Sequence, residues 1–180
     1  MKIGVIGVCN ITLDFAERAA NSGHEVLISH HRCTKNLKPI VERMGEKVKL
    51  VTKDKAAKAK MIFLFITRED LKTFFDDLPD MREKILLHTN HPLFNMESLE
   101  PYGNQKSSSE IIASLLPDAH VIKIFNSVNP SGIVPICKNQ NGNELFFTGA
   151  NAQAKNKVKT FLKTIDFSGC DLEEYQQGCC

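Results

Sequence analysis

The 180-residue sequence has no tryptophan, two tyrosines, no Cys-x-x-Cys pair and no long apolar run. A membrane-spanning helix needs ~20 consecutive apolar residues, and no stretch approaches that. The opening Met1-Lys2-Ile3-Gly4-Val5-Ile6-Gly7 is too short and too quickly polar for a signal peptide. Cysteines stand at positions 9, 33, 137, 170, 179 and 180, with no zinc-ligand spacing among them. Without a secretory context they read as free thiols rather than a disulfide framework, and no metal site is expected. The terminal Cys179-Cys180 lacks the polybasic flank of a prenylated tail. An excess of one charge is missing too: 23 Lys+Arg face 21 Asp+Glu, a net of +2, too weak a field to argue for nucleic acid. These absences read as a cytoplasmic protein with neither nucleic acid nor membrane as partner. With 42% hydrophobic and 24% charged residues, the chain is expected to fold as a single domain over residues 1–180, with 171–180 a short polar tail.

Periodicity sets out the elements. Lys2 to Ile6 is an apolar run ending at Gly7, the pattern of a buried strand stopping at a turn. From Asn10 to Asn21, Leu13, Phe15, Ala16, Ala19 and Ala20 recur at helical spacing, and Ser22-Gly23 closes the helix. Further strands are read at 25–29, 48–51, 61–66, 85–88, 121–125 and 145–148, with helices at 37–44, 71–78, 109–116 and 152–165. Met61 to Ile66 is almost wholly apolar, as a central strand buried on both faces must be. Strands alternating with helices predict an α/β fold of the Rossmann-like, doubly wound kind, a mostly parallel sheet with helices on both faces. The stretch 89–107 exceeds the usual connection length and is read as a lid or mobile loop. Phe146, Phe147 and Phe161 are read as leaving room for the surface of a homodimer.

Ligands of open α/β sheets bind beyond the carboxyl ends of the strands. The turn Gly7-Val8-Cys9-Asn10-Ile11-Thr12 lies at such an end. A dinucleotide turn places glycines at the first, third and sixth positions, for the tight turn, for backbone approach to pyrophosphate and for packing of helix on strand. Here Gly7 keeps the first, Cys9 holds the third and Thr12 the sixth. If position 9 needs a positive φ, a side chain there costs roughly 1 kcal/mol. The helix N-terminus still offers N–H groups to an anion, Asn10 and Thr12 can add side-chain donors, and Asp14 in the first turn would compete with phosphate.

The end of the second strand reads Ser29-His30-His31-Arg32, followed by Lys35, with no acid. An NAD site places Asp or Glu there to hold the ribose hydroxyls. A guanidinium that can fork onto phosphate, an ammonium and two imidazoles favour the 2′-phosphate of NADP instead. Each charge-assisted hydrogen bond is worth roughly 1.5–3 kcal/mol, so two or three outweigh the cost at Cys9.

These residues resemble the NADP oxidoreductases related to coenzyme F-420 (deazaflavin)-dependent NADP reductase, and the ferric reductase domain of six-transmembrane prostate antigen proteins is similar. The resemblance rests on Met1 to Gly7, on Ser22-Gly23-His24-Glu25-Val26, on Thr89-Asn90 and Pro92-Leu93 with His91 inserted between them, on Ser98-Leu99-Glu100-Pro101, on Leu115-Leu116-Pro117 and on Lys123-Ile124-Phe125-Asn126-Ser127-Val128. The family implies NADP(H) as cofactor and hydride transfer to a flavin, a deazaflavin or another small electron acceptor. Carried over by position, it places Gly7, Cys9, Asn10, Ile11 and Thr12 at the pyrophosphate. It places His30, His31, Arg32 and Lys35 at the 2′-phosphate, Ile66 and Thr67 on the adenosine side, and Thr89, Asn90 and Asn126 near the nicotinamide. Members of the family usually continue through a further helical segment beyond the point where this sequence ends.

Hydride transfer from a nicotinamide depends on positioning and exclusion of water more than on an acid or base. The sequence offers no catalytic dyad, so no catalytic residue is nominated. His88 and His91 form a close pair on the active side without a third metal ligand, and Phe63, Phe65 and Phe125 read as core. The rival reading, motivated by the two replaced glycines, is a catalytically inactive nucleotide-sensing or protein-interaction module.

Overall fold

A computed structural model of the chain describes residues 1–30, 37–67, 70–89, 107–126 and 144–177. The elements run β1 (Lys2–Ile6), α1 (Asn10–Asn21), β2 (Glu25–Ser29), α2 (Lys38–Arg43), β3 (Val48–Leu50), α3 (Lys53–Ala57), β4 (Met61–Leu64), α4 (Leu71–Phe75), β5 (Ile85–Thr89), α5 (Ser108–Leu115), β6 (His120–Asn126), β7 (Glu144–Thr148), α6 (Ala152–Thr164), β8 (Ser168–Asp171) and α7 (Leu172–Gln177). The strands form one sheet in the order β3-β2-β1-β4-β5-β6-β7-β8. β1 to β6 pair in parallel; β7 runs antiparallel to β6, with Phe125 opposite Phe146, and β8 is again parallel to β7. This is the doubly wound α/β architecture the alternation predicts, with β1 and β4 adjacent at the centre, where the strand order reverses.

Two apolar layers cover the sheet. Phe15 and Ala16 of α1, Val41 of α2 and Val158 and Phe161 of α6 pack on Ile3, Val5, Val26, Ile28 and Phe63. On the other face, Ala56 and Ala57 of α3, Leu71 and Phe74 of α4 and Ile112 of α5 pack on Ile6, Ile62, Leu64 and Leu86. Successive residues of β4 thus enter opposite layers, which is why that segment is apolar throughout. Phe15 stacks on Phe63 with centroids 4.5 Å apart, a contact worth about 1 kcal/mol beyond its buried area. Helix ends are fixed locally. Ser107 and Glu110 cap α5 reciprocally, the Ser107 amide donating to the Glu110 carboxylate at 2.6 Å, and Asn151 Oδ1 accepts from the Ala154 amide at 2.8 Å to start α6.

Three elements, α3, β8 and α7, have no counterpart in the sequence reading. α3 is short and alanine-rich, with too few large apolar residues to show a period; it forms because Ala56 seats against β1 at Gly4, where a Cβ would overlap the Ala56 carbonyl. β8 is Ser-Gly-Cys-Asp, without strand-forming side chains, yet it pairs with β7 and Gly169 lies beneath Leu162 and Phe147. The polar residues 171–177 carry secondary structure: Asp171 closes β8 and α7 follows. Phe146, Phe147 and Phe161 are 6%, 0% and 3% exposed, so they are core and supply no surface for a second copy. Phe63 is core as expected, whereas Phe65 and Phe125 are half-buried. β4 stops at Leu64, two residues short of the expected end, and α4 ends at Phe75 rather than 78. Most of the expected lid at 89–107, and Cys179-Cys180, lie outside the described residues.

Candidate functional site

Gly7 makes the turn between β1 and α1 with φ +83°, a conformation that side chains other than glycine's rarely adopt. Its amide donates to the Ser29 carbonyl at 3.0 Å, and a Cβ there would overlap the Phe65 carbonyl oxygen. The turn is thereby pressed between the ends of β2 and β4. Cys9 has φ −145°, extended backbone that any residue adopts, so the backbone penalty expected for a side chain at this position does not arise.

Thr12, at the sixth position of the turn, is fully buried. Its Oγ1 accepts from the Cys9 amide at 2.9 Å, and its hydroxyl proton faces the Gly7 and Cys9 carbonyls at 3.2 and 3.1 Å. With the Cys9 side chain facing the Thr12 amide, the two residues cap α1 reciprocally. Two expectations are corrected here. Thr12 is not a side-chain donor to phosphate, because its hydroxyl is committed to the turn. The Cys9 amide, which a glycine turn would aim at pyrophosphate, is taken by Thr12. The amides of Asn10 and Ile11 in the first turn of α1 have no hydrogen-bond partner among the described residues, as helix geometry requires when no cap reaches them. Asp14 does not compete for this end. It lies beyond the first turn and holds Arg18 Nε at 3.1 Å from both carboxylate oxygens.

A cleft of about 840 Å³ opens at the carboxyl ends of β1, β2 and β3. Ile6, Ser29, His30, Leu50 and Val51 form its floor, α3 supplies Lys53 and Lys55, and Asp70 with Thr73 and Phe74 of α4 completes the wall. Ser29 is buried and His30 half-buried at the end of β2. His31, Arg32 and Lys35, the other expected phosphate contacts, lie outside the described residues. Past β4, Ile66 is buried and Thr67 exposed; the Thr67 hydroxyl donates to Asp70 Oδ2 at 2.8 Å. Sequence reading missed Lys53 and Lys55, because α3 itself carries no periodic signal.

On the other side of the β1–β4 centre, β5 ends at Thr89 and β6 at Asn126, with Thr89 in register with Ile124. Asn90, His91 and the Asn126 side chain lie outside what is described. His88 is fully buried within β5, beside Lys123 of β6. Burial pushes Lys123 below the ordinary lysine value, partly countered by the charge of Glu110, and its ammonium sits 4.8 Å from the Phe125 ring centre.

The residues present suit a phosphorylated dinucleotide. Two amides at a helix N-terminus that have no partner among the described residues complement an anion. The end of β2 carries Ser29 and His30 with no carboxylate through residue 36, and a cleft with room for an adenosine adjoins it.

The family model described as NADP oxidoreductase coenzyme F420-dependent matches residues 2–92. Metalloreductase STEAP3 of Rattus norvegicus is 22% identical over 172 residues, and metalloreductase STEAP2 of Homo sapiens 26% over 173; each match covers at least 95% of this chain and 33% of the relative. The chain thus spans about a third of the length of the curated relatives it matches. A putative F420-dependent NADP-reductase from Arthrobacter superposes with a TM-score of 0.70 at 26% identity, over 96% of this chain and 84% of that one. A hypothetical protein from Sinorhizobium meliloti superposes with a TM-score of 0.74 at 22% identity over the same shares.

Proposed function

The chain belongs to the coenzyme F420-dependent NADP oxidoreductase family, and from that membership we propose that it binds NADP(H) across the β1–α1 turn and the adjoining cleft and serves as a reductase of a small acceptor. The observation that carries this reading is the pairing of the Asn10 and Ile11 amides, without partner among the described residues, with a β2 end that bears imidazole where an NAD site needs a carboxylate. Gly7, Cys9, Asn10 and Ile11 line the pyrophosphate, with Thr12 holding the turn from behind. His30, His31, Arg32 and Lys35 take the 2′-phosphate, Ile66 and Thr67 border the adenosine, and Thr89, Asn90 and Asn126 approach the nicotinamide. When bound, the cofactor supplies a hydride, and a flavin or deazaflavin is the acceptor class proposed for it. The chain's own part is to fix the dinucleotide on rigid strand ends and to keep water from the transfer.

The test is titration of NADPH and NADH by the cofactor's own fluorescence, with wild type and Arg32→Ala. Wild type binds NADPH more tightly than NADH, and Arg32→Ala removes most of that preference. Failure of wild type to bind NADPH, or an unchanged preference in Arg32→Ala, refutes the assignment.

One observation favours a second reading, a nucleotide-binding module without turnover: the Thr12–Cys9 cap withdraws an amide from the pyrophosphate. NADPH oxidation with any of flavins, quinones or ferric chelates eliminates it.

A further inference from the structure

We propose that Lys53 adds to the specificity for the phosphate ester on the adenosine side of the dinucleotide, contributing from the β3–α3 side of the cleft with Lys55 as a weaker neighbour; this rests on the NADP(H) reading above. Lys53 is not a free surface lysine. It is half-buried, its Nζ donates to the Phe74 carbonyl at 3.3 Å, and the same ammonium lies 4.9 Å from the centre of the Phe74 ring. These two contacts hold the side chain along the cleft wall. An ammonium has three N–H donors, so the Phe74 carbonyl leaves two uncommitted.

Among the described residues its ammonium also has no carboxylate in ion-pair contact. Lys49 is tied to Glu25 at 3.1 Å, Lys155 to Asp171 at 2.8 Å and Lys159 to Glu174 at 2.9 Å. The cleft that Lys53 lines also holds Ser29 and His30 from the end of β2, and Lys55. The opposing charge there is Asp70, whose carboxylate accepts from Thr67. An anchored cation with spare donors, lining the same cleft as the strand end that binds the adenosine ribose in this fold, gains more from a phosphate monoester than from a bare hydroxyl. The consequence is selectivity and not merely affinity.

Adenosine 2′,5′-bisphosphate and 5′-AMP differ only in the ester in question, so both are titrated by calorimetry against wild type, Lys53→Met, Lys53→Gln and Lys55→Met. Lys53→Met weakens the bisphosphate about tenfold and leaves 5′-AMP unchanged, the loss expected for one charge-assisted hydrogen bond. Lys55→Met weakens it less, about threefold. Lys53→Gln gives the same selective loss and replaces the Met variant should that one fail to fold, as judged by circular dichroism. An equal effect on both probes, or no effect on either, overturns the assignment. Two failures are separable: wild type binding neither NADPH nor the bisphosphate refutes the NADP(H) reading itself, whereas tight wild-type binding with unchanged selectivity in the Lys53 variants refutes Lys53 alone.

Discussion

The Cys9 amide donates to Thr12 Oγ1 at 2.9 Å, so the residue that replaces the last glycine of the dinucleotide turn holds the amide of the residue that replaces the middle one. The two substitutions are therefore one structural change. The turn has exchanged an amide that could face pyrophosphate for an internal cap that stiffens α1. Thr12→Val keeps the shape, removes the acceptor and leaves the Cys9 amide orphaned. It should lower stability by about 1–3 kcal/mol, read as a fall in the denaturant midpoint at unchanged slope. A midpoint equal to wild type would show that the cap contributes nothing.

Gly7 faces a stricter requirement. A side chain there meets both a left-handed backbone and the Phe65 carbonyl oxygen. Gly7→Ala should cost more than the ~1 kcal/mol that positive φ alone exacts, because backbone of the central strand end cannot yield as a flexible side chain can. The expected outcome is a thermal midpoint lowered by at least 10 °C, or an unfolded chain by circular dichroism.

At the far edge of the sheet, Asp171 is buried to 3% side-chain exposure and bonds Lys155 at 2.8 Å, tying α6 to β8. Asp171→Ala leaves the ammonium with only the exposed Glu173 as partner and should destabilise by about 1–2 kcal/mol in urea unfolding at pH 7. The bonds to Asp171 and Glu173 hold Lys155 above the ordinary lysine value. A raised folded-state value means that this contribution is full below the ordinary lysine value of about 10.4 and is lost as pH rises through the higher one. The wild-type advantage over Asp171→Ala should accordingly persist through pH 9 and shrink only above about pH 10.4.

Lys123 behaves in the opposite sense. Burial holds its folded-state value below the ordinary one, against a smaller pull from Glu110. The unfolded chain then binds its proton more readily, so the charged lysine penalises folding below its folded-state value, and the penalty fades as pH rises toward about 10.4. Lys123→Met should raise the thermal midpoint by ~2–5 °C at pH 7, with the gain diminishing in alkali. A lower midpoint at pH 7 would mean that the ammonium over the Phe125 ring gains more than burial costs.

The layers of this protein were legible because each element that enters the core announces its own burial. Met61 to Leu64 is apolar at every position because both faces are covered, and Phe15, Ala16, Ala19 and Ala20 repeat at the spacing of a helix with one buried side. Short elements carry no such signal. α3 shows only alanines to the core, and β8 has no strand-forming residue at all; both exist because other elements receive them, β1 at Gly4 for one and β7 with Leu162 of α6 for the other.

The amino-acid sequence alone determined the doubly wound architecture, the glycine turn after the first strand and the lack of an acid after the second, since each depends on residue type and near neighbours. Tertiary structure decided the reversed direction of β7, the burial of Phe146, Phe147 and Phe161, the commitment of the Thr12 hydroxyl and the arrival of Lys53 at the cleft wall. Those outcomes turn on which distant groups meet when the sheet closes, and on whether each polar atom finds a partner there. Periodicity along the chain records how deeply a residue is buried, but not what it is buried against.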